Sequence, residues 1–348
     1  MKKRIWKIAK IILTISIAIV VLYTILVLNG KKNLYKDPIS QEIVLEKEGT
    51  ETTDSTTVEW QDNWVRYNGT IYEYNEEILT FLVMAIDQWE VEIEEYTNAW
   101  GGGQSDAMFL VVINPTIEAI NVIAINRNTM TDIETYDIDG TYIATTQAQI
   151  TLQHGYGDGK ELSATRSVQA VSNLFYQLPI HGYVTIRFDA INYLNDAVGV
   201  VEVLVEEDMT DAYSTLVEGE TVKLYGDSAY YYLRWRDTDA FDSASSRLSR
   251  QKQYLTAFID MAKDRVKEDI LFIPNIYQII QEYMVTDIAL DEASYLASSF
   301  YEYSFDEANI YSIPGETLQG EVFEEFYVDE ECLYDLMIEI FYQEVENY

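Results

Sequence analysis

The spacing of apolar positions changes several times along this chain, and each change marks a predicted element. From Ile11 to Leu28 the residues are largely apolar and carry no charge, a length that suits a bilayer-spanning helix. "ILTFLVMAID" (Ile78–Asp87) is a short continuous apolar run ending in a carboxylate, the pattern of a buried strand. "AMFLVVINPTIEAINVIAIN" reads as two more buried strands joined by a turn at Asn114, Pro115 and Thr116. Between Glu161 and Leu178 the spacing becomes helical, with Val168, Val171, Leu174 and Phe175 on one stripe. "YVTIRFD" alternates as a strand, "AINYLNDAVG" is a short helix closed by glycine, and "VVEVLVE" is a further strand. A long amphipathic helix is predicted from Ser243 to about Lys267, and helical patterns continue to the C-terminus. Strands alternating with helices predict an α/β domain, with α+β as the alternative, built on a single central mixed sheet flanked by helices.

The same patterning divides the chain into a basic tail (1–10), a transmembrane anchor (11–28), a polar linker (29–57) and one folded unit (58–348). The linker ends in "EKEGTETTDSTT", which is polar and without periodicity. A cleaved signal peptide is the competing reading of the first segment, but the apolar run ends at Asn29-Gly30-Lys31-Lys32 without a small-x-small cleavage site. Five basic residues precede the run and three closely follow it, so the positive-inside rule favours a cytoplasmic N-terminus. The expected localisation is a single-pass cell-membrane protein with an extracellular C-terminal domain. No internal repeat is visible.

Charge sharpens the picture. With 59 acidic against 23 basic residues the formal net charge is −36, which argues against nucleic acid as a partner. One cysteine and two histidines exclude an intrachain disulfide framework and a Cys- or His-rich metal centre. Within this acidic chain, "YYYLRWRDTDAFDSASSRLSRQKQY" concentrates Arg234, Arg236, Arg247 and Arg250. If Leu233–Asp237 is extended, Arg234 and Arg236 share a face. On the helix that follows, Arg247, Arg250 and Gln251 share another. Packed together, the two faces would offer guanidinium forks and an amide to a diphosphate. That each arginine instead pairs with a surplus surface acid is equally open from spacing.

Asp87 closes one strand, and Asp106 follows "GGGQS" and opens the next. Carboxylates so placed suit one magnesium ion, which takes a few carboxylates plus phosphate oxygens; a turn aspartate and a capping aspartate are the plain alternatives. Arg127, in "AINRNT", lies just past a buried strand, where an unpaired charge is costly. The glycine loop has no Walker pattern, so nucleotide binding is unsupported.

The ordered segments "MAID", "GGGQSDAM", "AINRNT", "FDAINYLNDAVGVVEV", "YYLRWR" and "RLSRQKQ" resemble the LytR-CpsA-Psr family, also called the cell-envelope-related attenuator domain, over roughly Leu79 to Ala262. Weaker matches follow at "SIPGE" and "YVDEE". The resemblance implies a membrane-anchored, magnesium-dependent phosphotransferase. Such enzymes move a glycopolymer (teichoic acid, capsule or a similar polysaccharide) from a polyprenyl diphosphate carrier to peptidoglycan. It also implies Asp87 and Asp106 as metal-associated carboxylates, with Arg127, Arg234, Arg236, Arg247 and the adjacent Gln251 on the diphosphate, and Arg250 as a further candidate in the same run. One of the two aspartates, Asp106 in preference to Asp87, is the expected aid to deprotonation, and an apolar slot for the isoprenoid is expected along "YQLPI" to "YLNDAV". Three departures stand out: Gln104-Ser105-Asp106 where the family usually has R-S-D, Arg127-Asn128-Thr129 where it has R-D-T, and a degenerate "QITLQHGYG" around Gln149. The rival readings are a tethered envelope protein that binds glycopolymer or lipid diphosphate without turnover, and a hydrolase with water as acceptor.

Overall fold

The computed structural model describes residues 2–35, 60–61, 63–87, 101–237 and 240–345. Helix α1 (Lys2–Leu34) contains the apolar run and continues past it. Its stretch Ile17–Leu34 is long and apolar enough to cross a membrane and overlaps the expected Ile11–Leu28. The helix does not stop at Gly30, where an added Cβ would lie 1.9 Å from the Asp291 carbonyl oxygen. Most of the expected linker, and the expected domain start at Val58, fall outside the described residues.

A small hairpin, β1 (Trp64–Tyr67) and β2 (Thr70–Tyr74), turns at Gly69 with a positive φ of 81°. The chain then enters β3 (Leu79–Ile86), buried along almost its whole length, which is why it reads as a continuous apolar run. Strands β4 (Ser105–Asn114) and β5 (Ala119–Ile125) follow it antiparallel, joined at the predicted Asn-Pro-Thr turn. A second hairpin, β6 (Met130–Tyr136) and β7 (Tyr142–Gln149), stands apart from the main sheet. Helix α2 (Glu161–Leu174) leads into β8 (Gly182–Arg187), parallel to β3. Helix α3 (Ala190–Val198) ends at Gly199, left-handed with φ 111°. The strand expected from "VVEVLVE" is only the short β9 (Glu202–Leu204), paired with β10 (Thr221–Lys223) outside the main sheet.

Helix α4 (Asp227–Arg234) precedes the long α5 (Ser243–Glu268), whose predicted limits hold to within a residue or so. The remainder is more mixed than its helical pattern suggested. It holds α6 (Phe272–Ile280), β11 (Met284–Thr286), α7 (Leu290–Phe300), β12 (Ile310–Ser312), hairpin β13–β14 (Gly315–Gln319, Glu324–Val328), α8 (Glu330–Phe341) and β15 (Tyr342–Glu344). Such short strands carry too few residues to display a period of two.

The central sheet runs β11-β8-β3-β4-β5-β12 and is mixed, as the alternation predicted. Side chains alternate across it. Leu82, Met84, Met108, Leu110 and Ile123 face Val171 of α2, Phe175 at its C-terminal end, and Leu333 and Met337 of α8. Ala85, Ala107, Phe109, Ala124 and Ile186 face α3, α4 and α5. A third cluster joins Leu79, Phe81 and Ile113 to Tyr295 and Phe300 of α7 and to Leu34 of α1. Beside it Tyr23 meets Ser298 at 2.6 Å, and Asn33 donates to Asp291 at 3.0 Å.

Candidate functional site

The site lies where β3 ends and β4 begins. The ladder pairs Ala85 with Ala107 but Ile86 with Ser105, leaving Asp106 as the extra residue of a bulge. A bulge re-aims the side chain it carries, and Asp106 leaves the alternation of β4 to face the arginines. Across from it, the Asp87 N–H donates to the Gln104 carbonyl at 3.2 Å, so the two aspartates terminate adjacent strands at one edge.

Four guanidiniums converge there from three parts of the chain. Arg127, from the loop after β5, meets Asp106 Oδ1 at 2.5 Å and donates to Gln104 Oε1. Arg247, on the first turns of α5, is buried and donates to Asp106 Oδ2 at 3.3 Å and to its carbonyl at 3.2 Å. Arg234 bonds Asp87 Oδ1 at 2.6 Å. It is the last residue of α4 rather than part of an extended Leu233–Asp237 segment. Trp235 turns the chain with ψ 143°, and Arg236 lines the same cleft as the other three.

Electrostatics follow the geometry. Burial pushes Arg247 down to about 10, opposed by Asp106 and reinforced by Arg127 and Arg236, and it stays charged at neutral pH. Arg127 is lowered chiefly by burial and further by Arg236. Burial also works against Arg234, but Asp87 more than offsets it and holds this guanidinium above its ordinary value. Four arginines meet Asp87 and Asp106 at the strand ends, so positive charge is concentrated there within a chain of net −36, although Asp211 and Glu324 line the same cleft.

Not every predicted residue joins this group. Arg250 is 2% exposed and faces the scaffold: Nε donates to the Tyr232 carbonyl at 3.1 Å, Nη2 to the Trp235 carbonyl, and Nη1 pairs with Glu207. Gln251 donates to the Leu233 carbonyl at 3.1 Å. Both hold the C-terminal end of α4, where helical carbonyls lack partners, and so position Arg234 and Arg236.

The cleft encloses about 1030 Å³ and is walled by α4 and α5 on one side and by the β13–β14 hairpin on the other. Gln104, Asn128 and Gln149, the three positions of departure, all line it. Gln149 Nε2 donates to Asn128 Oδ1 at 3.3 Å and to the Glu324 carbonyl at 2.7 Å. Sequence reasoning missed Tyr230, Trp235, Phe241, Phe323 and Glu324, which come from the short α4, the loop after it and a hairpin.

Beneath the cleft, an apolar slot of about 260 Å³ opens between the sheet and α3–α5. Ala85 and Ala107 make the room for it, opposite Ile191, Leu194, Tyr254 and Phe258. It abuts the cleft, since Leu233 and Ala107 line the slot while their neighbours Arg234 and Asp106 line the cleft. The expected lining holds for α3 but not for "YQLPI": Leu178 and Ile180 are buried on the opposite face of the sheet.

A sequence profile of the LytR_cpsA_psr family matches residues 41–337. The chain belongs to that family. Among curated relatives, the polyisoprenyl-teichoic acid–peptidoglycan teichoic acid transferase TagV of Bacillus subtilis is 27% identical over 233 residues, 65% of this chain and 56% of its own. Its counterpart TagU of Halalkalibacterium halodurans is 29% identical over 210 residues, 60% of this chain and 62% of its own. The chain thus spans less than two thirds of either relative's length. The crystal structure of Bacillus subtilis TagV superposes with a TM-score of 0.58 at 24% identity, over 76% of this chain and 96% of that one. A structure of TagT bound to LI-WTA gives 0.57 at 20% identity, over 76% and 90%. These superpositions establish the LytR_cpsA_psr fold.

Among the described residues no cluster of three or more His, Cys, Asp or Glu side chains could cage a metal. Magnesium needs only one or two carboxylates when phosphate oxygens complete its shell. The pair Asp87 and Asp106, at the ends of adjacent strands, supplies carboxylates of that kind, each now ion-paired with an arginine.

The glycine loop beside the site is tied to a buried histidine. His154 Nδ1 lies 2.6 Å from the Gly102 carbonyl, and a Cβ on Gly102 would sit 2.2 Å from the His154 carbonyl oxygen. Burial pushes the imidazole down to about 4, against the pull of the Gly102 and Gly103 backbone. The unfolded chain, with an ordinary value near 6.5, therefore takes up the proton first as pH falls. Stability is unaffected by this group above that value and is lost progressively between roughly pH 6.5 and 4. Urea unfolding at pH 7 and pH 5 is expected to show a loss about 2 kcal/mol smaller in His154→Gln than in the wild type. An equal loss in both proteins would contradict it.

Proposed function

We propose that the protein is a membrane-anchored phosphotransferase that moves a glycopolymer from a polyprenyl diphosphate carrier onto peptidoglycan. One observation carries this reading: four arginines from separate elements meet in a single cleft at the mouth of an apolar slot. That pairing matches a ligand with an anionic diphosphate head and an isoprenoid tail. The named activity of the curated relatives supports the same choice.

The chemistry asks mainly for positioning and charge neutralisation. Arg127, Arg234, Arg236 and Arg247 grip the diphosphate oxygens, and Ala85, Ala107 and α3 seat the first isoprene units. An acceptor hydroxyl attacks the sugar-side phosphorus, and polyprenyl phosphate leaves toward the slot. Asp87 and Asp106 are the residues to hold magnesium, whose bound form would supply further neutralisation of the diphosphate. Helix α1 confines the domain to the plane of its lipid substrate and raises effective concentration, with the N-terminus cytoplasmic and the domain outside.

The test incubates the full chain in detergent micelles with a lipid diphosphate–linked disaccharide, magnesium and peptidoglycan fragments. Joined product with release of polyprenyl phosphate is expected. Free sugar phosphate would mean hydrolysis, and retention without turnover a binding protein. The slot gives a separate prediction: Ala107→Leu fills it, so affinity for a polyprenyl-linked donor falls roughly tenfold, as two lost buried methylenes imply. Affinity for a diphosphate lacking the tail stays unchanged, and equal losses on both ligands would remove the slot from the account.

A further inference from the structure

Resting on that reading, we propose that the hairpin wall of the cleft is the acceptor subsite. There Phe323, together with Phe241 of the adjoining loop before α5, holds a sugar ring and Glu324 takes the proton from its attacking hydroxyl. The cleft is far larger than a diphosphate alone requires. Phosphoryl transfer keeps the attacking and leaving oxygens roughly in line. The leaving polyprenyl phosphate departs toward the slot, which α4 borders through Leu233 and the hairpin does not border at all. The nucleophile therefore comes from the hairpin side.

That wall has the surface for it. Val322 is 74% exposed and Phe323 70% at the hairpin tip, and Phe241, in the loop before α5 whose Asp242 bonds the hairpin, is 62%, an apolar group on the rim of an otherwise acidic protein. Exposed apolar groups of this kind mark binding surfaces, and flat rings suit the C–H faces of a pyranose. Gln149, whose Nε2 is held by Asn128 and Glu324, offers its Oε1 as an acceptor for a sugar hydroxyl, and Gln319 adds a second amide.

The hairpin is fixed in place. Phe326 N–H donates to the Asn128 carbonyl at 2.9 Å, and Thr317 Oγ1 donates to Asp242 Oδ1 at 2.7 Å. Glu324 accepts the Asp242 N–H through Oε1 at 2.6 Å, while its Oε2 is buried with no hydrogen-bond partner among the described residues. A buried carboxylate oxygen without a donor needs a reason, and an incoming hydroxyl is the donor that fits. The expected base, Asp106, has each oxygen facing a guanidinium instead.

In the step itself, the hydroxyl proton passes to Glu324 Oε2 as the acceptor oxygen bonds to the sugar-side phosphorus. The bond from that phosphorus to the bridging oxygen breaks, and its electron pair leaves with polyprenyl phosphate. Glu324 then returns the proton to solvent.

Donor affinity, acceptor KM, kcat and the pH profile are measured together on the full chain, with a lipid diphosphate–linked disaccharide as donor and peptidoglycan fragments as acceptor. Glu324→Gln retains an acceptor for the Asp242 N–H. It is expected to lower kcat about 100-fold or more, to abolish the acidic limb of the profile and to leave donor affinity unchanged. Phe323→Ala, at an exposed tip, should raise acceptor KM roughly tenfold with donor affinity unchanged. A wild-type kcat and pH profile in Glu324→Gln would overturn the proposal. So would a Phe323→Ala variant that loses donor affinity and keeps its acceptor KM, since the donor sugar would then occupy the platform. Wild-type protein that binds no donor at all overturns the transferase reading first and this subsite with it.

Discussion

Arg236→Ala is expected to lower transfer from a lipid diphosphate donor by about 100- to 1000-fold while the protein remains folded. The loss matches removal of one preorganised donor to developing phosphate charge. Arg236 is the informative choice because no described residue pairs with it through a carboxylate, whereas Arg127, Arg234 and Arg247 are each engaged by Asp87 or Asp106. Truncating Arg234 would remove the ion pair of Asp87, and truncating Arg127 or Arg247 would leave Asp106 with one partner fewer, so each such variant disturbs an acid as well as the cluster. The Arg236 charge repels those of Arg127 and Arg247, so its loss does not weaken the fold. Donor affinity and thermal unfolding measured on the same variant separate the two effects. Wild-type affinity would assign Arg236 to the surface.

Arg250→Ala is expected to do the reverse. Three of its nitrogens serve Tyr232, Trp235 and Glu207 from a position that is almost wholly enclosed. Truncation leaves two buried carbonyls without their charged donor and opens a cavity beneath α4, at a cost of about 3 kcal/mol. The melting temperature should fall by roughly 5 °C. Activity per folded molecule falls less than in Arg236→Ala, because the effect reaches the diphosphate only through the placement of Arg234 and Arg236. A melting temperature equal to wild type would show that α4 is held by other contacts.

These two arginines also mark how far the sequence could be read. Strands β3, β4, β5 and β8 and helices α2, α3 and α5 were legible because each carries a full buried face, and a buried face imposes its period on the residues. Arg247, Arg250 and Gln251 do share one side of α5 as their spacing required, yet that side spans both the cleft and the underside of α4. Spacing specifies a direction around a helix; what stands opposite is a tertiary fact. The Leu233–Asp237 segment misled for a related reason. Tyr230, Tyr232 and Leu233 are buried on α4, and so short an aromatic helix has too few turns to outweigh strand propensity. Asp106 reaches the site through a bulge, which leaves no periodic trace. Glu324 and Phe323 lie about two hundred residues further along the chain, and only the packing of the β13–β14 hairpin on Asn128 and Asp242 brings them in.

The central claim is that one diphosphate headgroup spans all four clustered arginines, and calorimetric titration of the full chain in micelles with a short isoprenyl diphosphate tests it most directly. The account predicts one site per chain, lost in Arg236→Ala and retained in Arg66→Ala, whose arginine is exposed on β1 far along the sequence from the cleft residues. Binding that survives Arg236→Ala, or that falls equally in Arg66→Ala, would contradict it.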